Sequence, residues 1–162
     1  IVDEWLVFSV GGGEIKNLDE ERSLSTTNVY KHKNMKEILE YCENNNISFY
    51  DYILECEGEE IISYGDQILT VMFNTVERGL INDSKLPGDL NISRRAKSFY
   101  EQYLEDDSLS TLAFAASMAA SEENAAGGEM VTAPTCGASG VVPGVLYTYY
   151  KRRNFSSKTS FN

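Results

Sequence analysis

The side chains best suited to chemistry gather between residues 121 and 150. A tight run of small and hydroxyl residues occurs there: Thr132, Ala133, Pro134, Thr135, Cys136, Gly137, Ala138, Ser139 and Gly140. An apolar helical pattern follows, through Val141, Val142, Val145 and Leu146. Proline is tolerated only in the first turn of a helix, so Pro143 places the predicted start near Ser139 or Gly140. Residues 135–140 then offer free amides and hydroxyls at a helix N-terminus. Such an end carries unpaired N–H groups and about half a unit of positive charge. Small side chains let a carboxylate or phosphate approach the backbone. The same glycines also suit a close crossing of two helices, and spacing alone leaves both readings open.

Other candidates lie nearby. Asn124 precedes a turn and can bond to backbone groups there. Cys136 stands by the helix N-terminus, where a thiolate is stabilised. Glu122 and Glu123 read either as an acid/base pair or as a solvated helix end. Arg94 and Arg95 read either as a bidentate carboxylate clamp or as surface ion pairs.

The elements that must position these residues are helical. Asn34 caps a predicted helix with Met35, Ile38, Leu39 and Cys42 on one stripe. Asn44, Asn45 and Asn46 stop it. Ser48 caps the next, with Phe49, Tyr52, Ile53 and Cys56 on its buried face. A long helix is predicted over 59–80, ended by Gly79, and a turn over 83–87. Helix resumes over 93–103. Asp106, Asp107 and Ser108 cap a further helix that runs to Ala126, with a face of little bulk at Leu112, Ala113, Ala116, Ala119 and Ala120. Gly127 and Gly128 end it, and a short extended piece over 129–132 leads into the loop. Before all this, Leu6, Val7, Phe8, Ser9 and Val10 suggest a strand buried on both faces. Gly11, Gly12 and Gly13 end that strand as a plain turn, since no phosphate-binding continuation follows. Residues 23–33 read as a polar linker, and His32, the only histidine, as an exposed part of it. Lys151, Arg152 and Arg153 suit a helix C-terminus.

Two blocks carry a family resemblance. Ser121-Glu122-Glu123-Asn124-Ala125-Ala126-Gly127-Gly128, followed by Val131-Thr132-Ala133-Pro134-Thr135-Cys136-Gly137-Ala138-Ser139-Gly140-Val141-Val142-Pro143, resembles the iron–sulfur-dependent L-serine dehydratases (L-serine ammonia-lyases). Upstream, Leu86-Pro87-Gly88-Asp89-Leu90-Asn91-Ile92-Ser93-Arg94-Arg95-Ala96 resembles a second block of their catalytic domain. Trp5 to Gly13 resembles the end of the family's other domain, itself similar to the substrate-sensing domain of some phosphoglycerate dehydrogenases.

The resemblance implies a mainly α fold: the N-terminal part of the helical catalytic domain over 34–162, preceded over 1–33 by a short α/β-domain remnant and linker. It implies L-serine as substrate, pyruvate and ammonia as products and a homo-oligomer when complete, while the three cysteines, read as reduced thiols, make a cytoplasmic location the default expectation. It also implies a [4Fe–4S] cluster whose open iron acts as Lewis acid on the serine hydroxyl, with ligands from sequence beyond Asn162. Asn124, Thr132, Thr135, Cys136, Gly137, Ala138, Ser139 and Gly140 become the expected substrate-binding set. Many members carry Asn where Cys136 stands, and Cys136 is the one candidate metal ligand of this stretch. A pyridoxal phosphate enzyme would need a Schiff-base lysine, and the loop holds none.

Composition agrees with a folded domain. The chain has 162 residues, 42% hydrophobic and 24% charged, enough for one core. Its net charge is −11, and the acidity is uneven: residues 1–107 sum to −12 and residues 108–162 to +1. That balance argues against nucleic acid as a partner, and no apolar run has membrane-spanning length. Cys42, Cys56 and Cys136 fit no compact metal motif, and the first two read as packing residues. Opening on Ile1-Val2 in mid-pattern, the chain reads as an internal fragment, with 155–162 as a frayed or divergent end. The other function class left open is a non-catalytic helical module that binds a small anionic metabolite at the 132–140 loop.

Overall fold

A computed structural model describes residues 7–11, 14–17, 29–133 and 135–153. Two antiparallel strands come first, β1 (Val7–Gly11) and β2 (Glu14–Asn17), with Val7 opposite Asn17 and Gly11 opposite Glu14. A strand buried on both faces was the expectation, but Phe8 is 49% exposed. The second strand escapes the sequence reading because Glu14, Lys16 and Asn17 lack strand character. A lone hairpin does not show an α/β unit. Leu6, most of the predicted linker, Pro134 and the polar end at 155–162 lie outside the described residues.

Six helices follow: α1 (Met35–Asn45), α2 (Phe49–Glu57), α3 (Glu60–Ile81), α4 (Ala96–Asp106), α5 (Leu109–Ala125) and α6 (Cys136–Arg153). The chain is therefore mainly α. Among the described residues no helix is long and apolar enough to cross a membrane.

Local chemistry sets several starts. Asn34 accepts from the Glu37 amide at 3.1 Å to begin α1. Ser48 accepts from the Asp51 amide at 3.2 Å, while the Ser48 amide donates to Asp51 Oδ2 at 2.8 Å. This reciprocal pair satisfies two donors at once. Ser48→Ala should cost about 1 kcal/mol in urea unfolding. The loss should depend on pH. Hydrogen bonds from the Ser48 side chain, then its backbone, hold the Asp51 carboxyl below its usual value. Their contribution is complete above the unfolded carboxyl value of about 3.9 and is lost as pH falls through the lowered folded value. The difference between Ser48→Ala and the parent protein should thus shrink in acid.

The stripes of α1 and α2 are only half buried. Cys42 and Tyr52 are covered, but Met35, Leu39, Phe49 and Ile53 are exposed. His32 is not a free linker residue. Its Nδ1 lies 2.9 Å from the Tyr52 hydroxyl, and its ring packs on Tyr41 with centroids 4.8 Å apart.

Helix α5 is the centre of the core, with α3, α4 and α6 against it. Its Leu112, Ala115, Ala116, Ala119 and Ala120 are at most 1% exposed. Small side chains let neighbouring backbones close in. A Cβ on Gly79 would lie 2.5 Å from the Ala119 carbonyl oxygen. Gly79 therefore does not end α3, which continues to Ile81; it is the contact point of two helices. Helix α4 begins at Ala96 rather than Ser93, because Ser93 is held in a bridge to Lys85.

Candidate functional site

The segment between α5 and α6 is shaped by its glycines and then tied down. Gly127 takes a φ of +73°, a conformation open to glycine. The Gly128 amide bonds to the Glu123 carbonyl at 2.9 Å, closing α5. The chain then runs without regular structure through residues 129–133, where an extended piece was expected.

Helix α6 starts at Cys136, earlier than Pro143 suggested. Thr135 explains the difference. Its Oγ1 accepts from the Ala138 amide at 3.1 Å and its carbonyl from the Ser139 amide at 3.0 Å. This side chain acts as a cap, and Pro143 consequently stands inside the helix. Among the described residues, the amides of Cys136 and Gly137 make no hydrogen bond.

The expected set divides in two. Thr132, Thr135, Cys136 and Gly137 are exposed, and Ala138 is half-buried. Asn124, half-buried on α5, is brought to them: its Nδ2 donates to Cys136 Sγ at 3.2 Å. Ser139 and Gly140 instead turn inward. Ser139 Oγ accepts from the Ala133 amide at 2.8 Å and bonds to the Thr135 carbonyl at 3.2 Å. A Cβ on Gly140 would collide with Ser121 Oγ and lie 3.1 Å from the Ser117 carbonyl oxygen. Gly140 thus serves the helix crossing. Glycine in the open part of the surface is Gly137, with nothing within 4 Å of an added Cβ.

Glu122 and Glu123 are not a solvated helix end. They are 7% and 6% exposed. Glu122 accepts from the Arg95 amide at 2.6 Å and the Ala96 amide at 3.3 Å, so it caps α4 from another helix. Glu123 pairs with Arg94 Nη1 at 2.7 Å and with Arg78 Nε at 3.4 Å. Both carboxylates are committed to these partners, which speaks against the acid/base pair. Arg94 does form an ion pair, but a buried one: its side chain is 3% exposed. Arg95 lies over the Phe99 ring at 5.3 Å.

Sequence reasoning missed Thr75 and Arg78. Both reach the Glu129 carbonyl, Thr75 Oγ1 at 2.9 Å and Arg78 through Nη2. The one available signal was their spacing of three on a helix whose face there is otherwise apolar.

The described residues do not fit a four-iron cluster. Cys42 is buried on α1, Cys56 half-buried on α2 and Cys136 exposed on α6. Burial raises the Cys42 thiol above its ordinary value, which disfavours the thiolate a metal needs. Among the described residues no group of three or more His, Cys, Asp or Glu could hold a metal ion.

The sequence matches the family described as serine dehydratase alpha chain over residues 18–161. It is similar to an L-serine dehydratase of Haemophilus influenzae, 34% identical over 159 residues, covering 89% of this chain and 35% of that protein. The L-serine dehydratase TdcG of Escherichia coli is 35% identical over 161 residues, covering 90% of this chain and 36% of its own length. An L-serine dehydratase of Mycobacterium tuberculosis is 33% identical over 156 residues, covering 86% and 33%. The chain spans about a third of the length of the curated relatives it matches.

Proposed function

The chain belongs to the serine dehydratase alpha-chain family, and from that premise we propose that it supplies the carboxylate-binding side of an L-serine ammonia-lyase. In that reaction the α-proton and the β-hydroxyl of serine leave together as water. The resulting aminoacrylate tautomerises and hydrolyses to pyruvate and ammonia. A [4Fe–4S] cluster remains the proposed cofactor of the lyase, with thiolates from outside the described residues. The work proposed for the described residues is to bind and orient the substrate.

The observation that carries this reading is the open first turn of α6. The Cys136 and Gly137 amides lack partners among the described residues, Gly137 borders open space, and Thr135 and Cys136 are exposed there, as is Thr132 four residues before the helix. A carboxylate seated there gains N–H donors and the positive end of the helix dipole. The Glu123 charge is already compensated by Arg94 and Arg78, and Glu122 is turned to the amides at the start of α4.

Pyruvate formation from L-serine by the full-length protein tests this. Thr135→Val and Gly137→Val should each lower kcat/KM for serine by roughly ten- to 150-fold, the equivalent of about 1.5–3 kcal/mol for a lost bond to a charged group. Thr135→Ser retains the hydroxyl and the cap and should recover most of the loss. Cys136→Asn should be mild. Iron lost only in the Cys136 variant, with serine kinetics unmoved by the other changes, would replace the carboxylate seat with a metal role.

A further inference from the structure

The segment entering α6 is tied at both ends. At the far end the Ala133 amide donates to Ser139 Oγ at 2.8 Å. At the near end the Glu129 carbonyl accepts from Arg78 Nη2 and from Thr75 Oγ1. Exposed Thr132 stands between these ties, one residue before Ala133, whose amide is held to Ser139 of α6.

The near tie uses more protein than a loop bond requires. Thr75 is 1% exposed, and its hydroxyl carries one proton for two carbonyls, Val71 at 2.8 Å and Glu129 at 2.9 Å. A hydroxyl can donate to only one of them at a time. Arg78 supplies the donor that keeps Glu129 satisfied in either case. Arg78 is itself aimed by Glu123 Oε2 on its Nε at 3.4 Å, and Glu123 is gripped by buried Arg94. Gly128 lets the chain pass this carboxylate: a Cβ there would lie 2.9 Å from Glu123 Oε2. Packing of α3 on the core is made by Val76, Gly79 and Leu80, all buried, whereas the Arg78 side chain is 40% exposed. Its Nη2 goes to the connecting segment, while its Nε goes to buried Glu123 on α5.

We propose that Arg78 is a positioning residue: through the Glu129 carbonyl it fixes residues 129–133 and so sets where Thr132 stands against the first turn of α6. The inference rests on that turn being the seat of the serine carboxylate.

The test uses the full-length protein with Arg78→Lys, Arg78→Met and Thr75→Val. Lysine keeps a charge opposite Glu123 but lacks the planar fork that serves two partners. Arg78→Met should raise KM for serine about tenfold while changing kcat less than about twofold, since a displaced binding segment removes binding common to ground and transition states. Arg78→Lys should fall between it and the parent protein, and Thr75→Val should move KM in the same direction. Amide hydrogen exchange at Ala133 should accelerate about tenfold, while Ala116 and Ala119 in the core of α5 keep their protection. An unchanged KM in Arg78→Met would overturn the proposal, whether or not Ala133 exchange rises. Equal acceleration at Ala116, Ala119 and Ala133 would also overturn it, by showing Arg78 to be a general element of the fold. Where Thr135→Val and Gly137→Val raise KM and Arg78→Met does not, only the tie is misassigned. Where none of the three raises KM, the seat itself is wrong and the proposal falls with it.

Discussion

Gly144→Ala is expected to lower folding stability by about 3 kcal/mol, at the upper end of the ordinary cost of overpacking a core. A Cβ on Gly144 would lie 2.5 Å from the Ser117 amide nitrogen and 2.6 Å from its Cα, and would collide with Ser117 Oγ as well. Backbone atoms inside α5 cannot swing aside as a side chain can, so the α5–α6 crossing must open. That movement would also disturb Gly140 against Ser121. An unhindered glycine to alanine change inside a helix has the opposite sign, a gain of about 1 kcal/mol. Gly137→Ala in the same helix is the control. Nothing lies within 4 Å of its added Cβ, so stability should hold or rise slightly. Urea midpoints at constant slope separate the two. Equal midpoints would show that α6 does not depend on this close approach.

The contrast between these glycines marks where sequence reading stopped. Gly137 and Gly140 likewise stand in one small-residue run, and composition gives them one meaning. Whether a glycine faces a ligand or a helix depends on what lies 3 Å away, and that neighbour comes from elsewhere in the chain. Gly79 misled for the same reason: it resembles a helix stop but meets the Ala119 carbonyl oxygen. Starts set by a residue three positions away were legible, as at Asn34, Ser48 and Ser108. The start of α4 was not, because Glu122 caps it from 26 and 27 residues along the chain. Helix α6 was misplaced by weighing the penalty of an interior proline above a local cap. The Thr135 cap and the close packing around Pro143, which is buried, outweighed that penalty.

The candidate site was legible as composition and only partly as geometry. Asn124 and Cys136 were both singled out, and they meet at 3.2 Å. Glu122 and Glu123 read in sequence as an acid/base pair or a solvated helix end, the latter because charges near a helix end are normally hydrated. Their burial depends on Arg94, Arg78 and the α4 amides arriving at one place. No single segment of sequence encodes that arrival. His32 shows the same limit, since its partners Tyr41 and Tyr52 lie on two different helices.

The Arg94–Glu123 pair should show the second large effect. With Arg94 3% and Glu123 8% exposed at the side chain, neither charge can fall back on water. Arg94→Met leaves Glu123 with Arg78 alone at 3.4 Å, and a loss of about 3 kcal/mol is expected, the low end for breaking a buried pair because that second cation remains. Glu123→Gln leaves the Arg94 cation buried without its counter-charge. Arg94 is already under-satisfied, since its Nε has no partner among the described residues, so a similar loss is expected. The combined Arg94→Met and Glu123→Gln replacement removes both charges. It should be more stable than the sum of the single losses by about 2 kcal/mol, because the cost in each single variant is the stranded partner. Salt provides an independent check. The exposed Lys97–Asp83 pair is open to screening, and Lys97→Met should leave the unfolding midpoint nearly unchanged at any ionic strength. The Arg94→Met loss should persist at high salt, because ions do not reach a buried pair. Additive single losses, or a loss that fades with salt, would mean that water reaches Glu123 and that the carboxylate is not held by burial.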